Sequence, residues 1–129
     1  MEILTWKIRI SVLWIFMAVA MSAHSVLYFI EPGAIGEIEE MQMGAGMLLF
    51  MAIFWWVPLV MAVLSLILKD SANRWTNFVL GIVFTILNIV HLTEHLAQPS
   101  AHLILIIGST IVVTGLIAWF AWRWPKQQT

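Results

Sequence analysis

Residues 75–96 read WTNFVLGIVFTILNIVHLTEHL. From Trp75 through Thr93 there is no Asp, Glu, Lys or Arg, and the apolar residues do not alternate with polar ones as they would on a half-buried strand. A hydrocarbon core of ~30 Å takes about 20 apolar residues of helix to cross, so the stretch has the length and composition of a membrane span. Its polar residues are ordered. At ~100° per residue, Asn77, Gly81, Thr85, Asn88, His91 and His95 fall within an arc of about 120°, with Glu94 on its flank. Polar side chains are costly in hydrocarbon, so a continuous polar stripe faces a bundle interior or a water-filled cavity.

Outward from this helix, three further stretches have the same character: Ile10–Ile30, Gly44–Leu68 and His102–Trp122. The chain is 62% hydrophobic and 10% charged, with a mean hydropathy of +0.97, outside the range of soluble domains. Barrel strands would be shorter and alternating. The expected fold class is therefore all-α, an integral membrane antiparallel four-helix bundle in which residues 1–129 form one transmembrane domain with the lipid bilayer as its first partner. Four spans in 129 residues leave no room for a soluble domain.

The breaks between spans differ chemically. Glu31-Pro32-Gly33 ends the first span, because Pro32 has no N–H and disfavours a helical residue before it. Ala34–Met43 is expected to form a short interfacial helix, and Lys69–Arg74 a polar turn in which Ser71 caps the third span. Gln98-Pro99-Ser100 is so short that the third and fourth spans must pack as antiparallel neighbours. Pro58 is positioned to kink the second span. A small-residue face on the first span (Ser11, Ala18, Ser22, Ser25) and Gly108 and Gly115 on the fourth would permit close packing, within the bundle or in a homo-oligomer.

Charge sets the orientation. Lys7 and Arg9, Lys69 and Arg74, and Arg123 and Lys126 all fall at one end of the spans, and short-loop basic residues are retained in the cytoplasm. Both termini are thus expected to be cytoplasmic, in a prokaryotic cytoplasmic membrane, with Trp6, Trp75, Trp122 and Trp124 as interfacial anchors at that boundary. Trp55 and Trp56, in mid-span, are expected to meet lipid or packing partners. The basic start and Ala18-Val19-Ala20 resemble a signal peptide with its cleavage site, but the apolar run continues to Ile30, which favours an uncleaved first span. Without cysteine there is no disulfide or thiolate chemistry. No nucleophile motif, phosphate loop or nucleic-acid signature is present.

The run from Lys7 to Phe16 (KIRISVLWIF), the Glu31-Pro32-Gly33 break, the turn from Leu68-Lys69 to Asn73-Arg74-Trp75 and the closing Trp119–Pro125 (WFAWRWP) resemble a family of small prokaryotic four-span membrane proteins classed as a domain of unknown function. Its layout is loosely similar to that of DoxX-like proteins. The resemblance implies the four-span fold and its topology, and it brings no activity with it. Members of that family often carry an acidic residue in the first span where this chain has Ser25, next to His24.

All four histidines lie at the end opposite the basic residues, with five of the seven acids: Glu31, Glu37, Glu39, Glu40 and Glu94. Spacings of three and four bring His91, Glu94 and His95 together on one helix. On the first span His24, Tyr28 and Glu31 follow at similar intervals, above Met17 and Met21. His24 stands eight residues before Pro32 and His91 eight before Pro99, so helices ending at one interface would hold the two rings at matched depth. His102 opens the fourth span at a shallower level. Imidazole and carboxylate bind zinc, iron or copper, which makes His24, His91, Glu94, His95 and His102 the candidate metal ligands. A b-type haem with His24 and His91 as axial ligands is an alternative cofactor, and Met43, Met47 and Met51 at intervals of four could hold copper(I). The acidic loop would draw cations toward the site, or simply face solvent.

Three functions remain open on the sequence. One is the binding, and movement, of a metal ion or proton, with histidines of ordinary pKa ~6.5 as ligands or relay groups. Another is an enzyme acting on a lipid-soluble substrate, with His91 and Glu94 as acid and base. The third is a scaffold or subunit that carries no site.

Overall fold

The computed structural model describes residues 2–125. Lys126, placed by its charge beside Arg123, lies outside them. The described residues form helices and no strands: α1 spans Glu2–Phe29, α2 Ala34–Met41, α3 Ala45–Ile67, α4 Asp70–His95 and α5 Ala101–Trp122. Four of these, all but α2, are long and apolar enough to cross a bilayer, which makes this a multi-pass membrane protein.

Around the bundle the order is α3, α1, α5, α4. The broadest contact joins α4 to α5, followed by α1 with α5 and α1 with α3, whereas α3 and α4 meet sparsely. The parallel helices α1 and α4 sit diagonally and reach each other through long side chains. Trp14 of α1 lies edge-on to Phe84 of α4, with ring centroids 5.5 Å apart. Phe84 also stacks on Phe54 of α3, at 5.3 Å, which gives the weakly packed α3–α4 pair its one aromatic tie.

Below this aromatic layer, toward the basic end, the bundle is closed by polar contacts. Asn77 Oδ1 accepts from Trp14 Nε1 at 2.7 Å and from Ser65 Oγ at 3.2 Å, while Asn77 Nδ2 donates to Asn73 and Asn73 Nδ2 donates to the Ser65 carbonyl at 2.7 Å. Trp14, Ser65, Asn73 and Asn77 all have no solvent exposure. Each of these hydrogen bonds is local glue of the kind that replaces the missing hydrophobic drive between helices in lipid. Ser11 Oγ adds a bond to the Ala62 carbonyl at 2.6 Å, and Lys7 Nζ donates to the Leu68 carbonyl at the end of α3, 3.5 Å from Asp70.

Several local expectations need correction. The polar segment after α3 is not a turn through Arg74: α4 starts at Asp70, and its N-cap is Lys69 rather than Ser71, with no capping hydrogen bond from that side chain. An acid in the first helical turn suits the positive end of the helix dipole, so Asp70 takes the place of a capping hydroxyl. Trp124 is buried in the core rather than set at the lipid boundary, whereas Trp75 and Trp122 are half exposed. Gly108 and Gly115 meet no close neighbour. The close approach is at Gly81, where an added Cβ would fall 2.8 Å from the Ala118 backbone nitrogen. Ser22, on the expected small-residue face of α1, is exposed and bonds back to the Ala18 carbonyl.

Above the aromatic layer the bundle opens. Residues 45–53 of α3 are all exposed, and no side chain of α3 above Phe54 packs against the core. Pro58 lies one turn below Phe54 and has no N–H for the Phe54 carbonyl, which weakens α3 where it departs. Helix α2 follows Gly33, whose φ of 84° is the left-handed conformation glycine adopts without strain, and it carries the acidic residues of the outer loop.

Candidate metal centre

Three histidines converge at the open end. His24 comes from α1, and His91 and His95 stand one turn apart on α4. The ligand atoms of all three lie within 4.8 Å of one another. Ring centroids are 4.8 Å apart for His24 and His91, 5.1 Å for His24 and His95, and 5.0 Å for His91 and His95, each pair meeting edge to face. Among the described residues this is the His, Asp and Glu grouping with metal-ligand spacing.

Burial and satisfaction distinguish these rings from ordinary surface histidines. His24 is 6% exposed, and its Nε2 has no hydrogen-bond partner. The two α4 rings present Nε2 to Nε2 at 3.2 Å. Two such nitrogens satisfy each other only when one carries the proton, and both are satisfied when they share a cation. A buried polar atom left unpaired costs roughly 1–3 kcal/mol, so the orphaned His24 nitrogen marks a place where a partner belongs.

The spacing is close to what an ion requires. With metal–nitrogen bonds of about 2.0–2.1 Å and tetrahedral angles, ligand nitrogens stand about 3.3 Å apart. His91 and His95 are already at that separation. The longest separation, within 4.8 Å, exceeds it by about 1.5 Å, a distance on the scale of side-chain rotation.

Around the trio, Tyr28 stacks parallel to His24 at 6.4 Å and meets His95 edge-on at 6.0 Å. Its hydroxyl donates to Glu37 Oε2 of α2 at 3.3 Å, which ties the acidic helix to the site. One turn below, Asn88 is fully buried with its Oδ1 unpartnered, and its Nδ2 makes only long contacts, 3.5 Å to the Thr110 carbonyl and to Thr114 Oγ1 and 3.7 Å to Met17 Sδ.

The other two candidate ligands lie elsewhere. Glu94 is exposed and outside the trio. His102 Nε2 sits 2.9 Å from Glu31 Oε1, which also accepts from Ser100 Oγ at 2.6 Å, so these residues fasten the end of α1 to the start of α5. Met47 and Met51 are exposed on α3 and Met43 is half-buried. Sequence spacing found His24, His91 and His95, and the placement of Tyr28 over them follows from its position one turn beyond His24. Asn73 was hidden among turn residues, although it continues the α4 stripe one turn below Asn77.

Fold and site together define a small polytopic helical membrane protein with a triple-histidine cluster at one end of its bundle. The chain belongs to DUF6326, a family of unknown function whose family model matches residues 1–129. No curated protein and no solved structure matches it.

Proposed function

We propose that this protein binds a transition-metal ion through His24, His91 and His95, at the non-cytoplasmic side of a prokaryotic cytoplasmic membrane. The observation that carries the reading is the convergence of three imidazoles from two helices around a buried nitrogen that has no partner. Neutral nitrogen donors without thiolate or carboxylate suit zinc, copper or iron(II). The edge contact of His24 with His91 leaves no flat slot for a macrocycle between them, so the reading is of a bare ion rather than haem.

Orientation follows from the basic residues, all at the opposite end of the spans. The opening beside α3 and the acidic α2 both favour arrival of a cation from the histidine side. Toward the cytoplasm the Trp14–Asn77–Ser65–Asn73 contacts close the bundle, so passage across the membrane would require them to part, and binding is the step the geometry supports. Metal analysis of purified protein tests the reading: the wild type should carry about one equivalent of ion, and His91→Ala should lose it. Background metal in both samples would refute it.

A further inference from the structure

We propose that the ion is copper(I) and that Met47 of α3 supplies its thioether ligation, with Met43 in the link just before that helix; this rests on the triple-histidine reading above. The argument starts from register. The Phe54–Phe84 stack joins α3 and α4 at one depth. From Phe84, α4 rises seven residues to His91; from Phe54, the antiparallel α3 runs back seven residues to Met47 and ends at Ala45, two residues after Met43. At ~1.5 Å per residue Met47 is level with His91, about 10 Å above the aromatic layer.

Rotation agrees with register. Taking ~100° per residue from Phe54, Met47 points within about 20° of the Phe54 direction and Met51 within about 60°. The same face lower on α3 carries Pro58, Met61 and Ser65, all buried in the bundle. The methionines therefore continue the face that α3 turns toward its neighbours, although the helix leaves the bundle before reaching them. Ligation then requires the segment of α3 above Phe54 to lean toward α4, in a helix that Pro58 weakens, so that Met47 reaches the histidines at its own level.

Ligand chemistry then selects the ion. Three imidazoles leave one position open, and a thioether in it favours copper(I) over zinc, whose sites are built from imidazole, thiolate and carboxylate. The unpartnered, buried His24 nitrogen is the independent sign that a cation belongs at this depth. The neighbouring exposed positions on α3 are Leu48, Leu49, Phe50 and Ile53, so contact with lipid alone does not call for sulfur at 43, 47 and 51.

The test uses full-length protein in nanodiscs under anaerobic, reducing conditions, titrated with copper(I) against a bicinchoninate competitor and separately with zinc(II) against a fluorescent chelator. The variants are Met43→Leu/Met47→Leu and His91→Ala, with helix content and elution volume as folding controls. Copper(I) affinity should fall about 10- to 100-fold in the methionine variant with zinc(II) affinity unchanged, and sulfur scattering at the copper edge should disappear. Unchanged copper(I) affinity in that variant, or nitrogen-only scattering in the wild type, overturns the thioether proposal and leaves the histidine site standing. Failure of the wild type to bind either metal overturns both.

Discussion

The close approach at Gly81 gives the bundle its most quantitative test. Substituting alanine there puts a Cβ 2.8 Å from the Ala118 nitrogen and 3.1 Å from both Ala118 Cα and Cβ. Two of those three atoms are backbone, so no rotamer change relieves the overlap, and α4 and α5 must separate locally by roughly 0.5–1 Å to restore ordinary contact. Overpacking of this kind costs about 1–3 kcal/mol, and a gap of that size also forfeits part of the dispersion energy along the interface. Replacing glycine in a helix returns about 1 kcal/mol of propensity. With backbone on the receiving side the cost sits at the upper end, giving a net loss of about 2 kcal/mol, roughly 30-fold in the unfolding equilibrium. Gly108→Ala and Gly115→Ala collect the propensity gain without the overlap, since nothing lies within 4 Å of a Cβ at either position. Unfolding in mixed micelles with increasing dodecyl sulfate, followed by tryptophan fluorescence, ranks the three variants. If Gly81→Ala proves as stable as Gly115→Ala, the α4–α5 contact is not where the structure puts it, and the placement of His91 and His95 loses its support.

Within the polar layer, Trp14→Phe removes the 2.7 Å bond to Asn77 and leaves space in a fully buried site, so the same unfolding assay should show a loss of about 2–3 kcal/mol. At the proposed metal centre, His102→Ala and Glu94→Ala should leave affinity within about threefold of wild type, while His24→Ala and His95→Ala should each lower it by at least about 100-fold in a chelator competition, because only the latter two belong to the proposed ligand set. Because the chain has no cysteine, Glu40→Cys and Ser71→Cys report orientation without background. An impermeant maleimide should label the first in intact cells and the second only after lysis, and the reverse pattern would invert the topology.

Length and hydropathy made the four spans legible, because a bilayer demands runs that water-soluble folds do not supply. The polar stripe on α4 was legible for the same reason: Asn77, Asn88, His91 and His95 share a face, and lipid does not tolerate that face. Neighbour order was legible only where a short link forces it, as Gln98-Pro99-Ser100 does for α4 and α5. Nothing in the spacing of α1 reveals that it packs between α3 and α5 with Trp14 crossing to α4, since α1 and α4 are joined by no loop and meet only through long side chains. Glycine positions misled as well, because a small residue permits close approach without causing it. Gly81 is buried against Ala118 while Gly108 and Gly115 are not approached, and which glycine faces a neighbour depends on helix rotation. Glu94 shows the converse limit, since its spacing from His91 is helical and its direction is outward.

One stripe on α4 thus does two different things. Asn73 and Asn77 are fully buried, and each has partners at good distance on its own or a neighbouring helix. That is what polar glue looks like, and such residues hold α1, α3 and α4 in one arrangement. Higher on the stripe, Asn88 keeps an unpartnered oxygen with no solvent to answer it, and it faces the same interior as His24, whose nitrogen is also unpartnered. The closed end keeps such an atom too, Trp124 Nε1, so an unpaired atom by itself does not separate the two halves. What separates them is that the unpaired His24 nitrogen stands among two further imidazoles, beside a helix weakened at Pro58, an arrangement that packing alone does not call for.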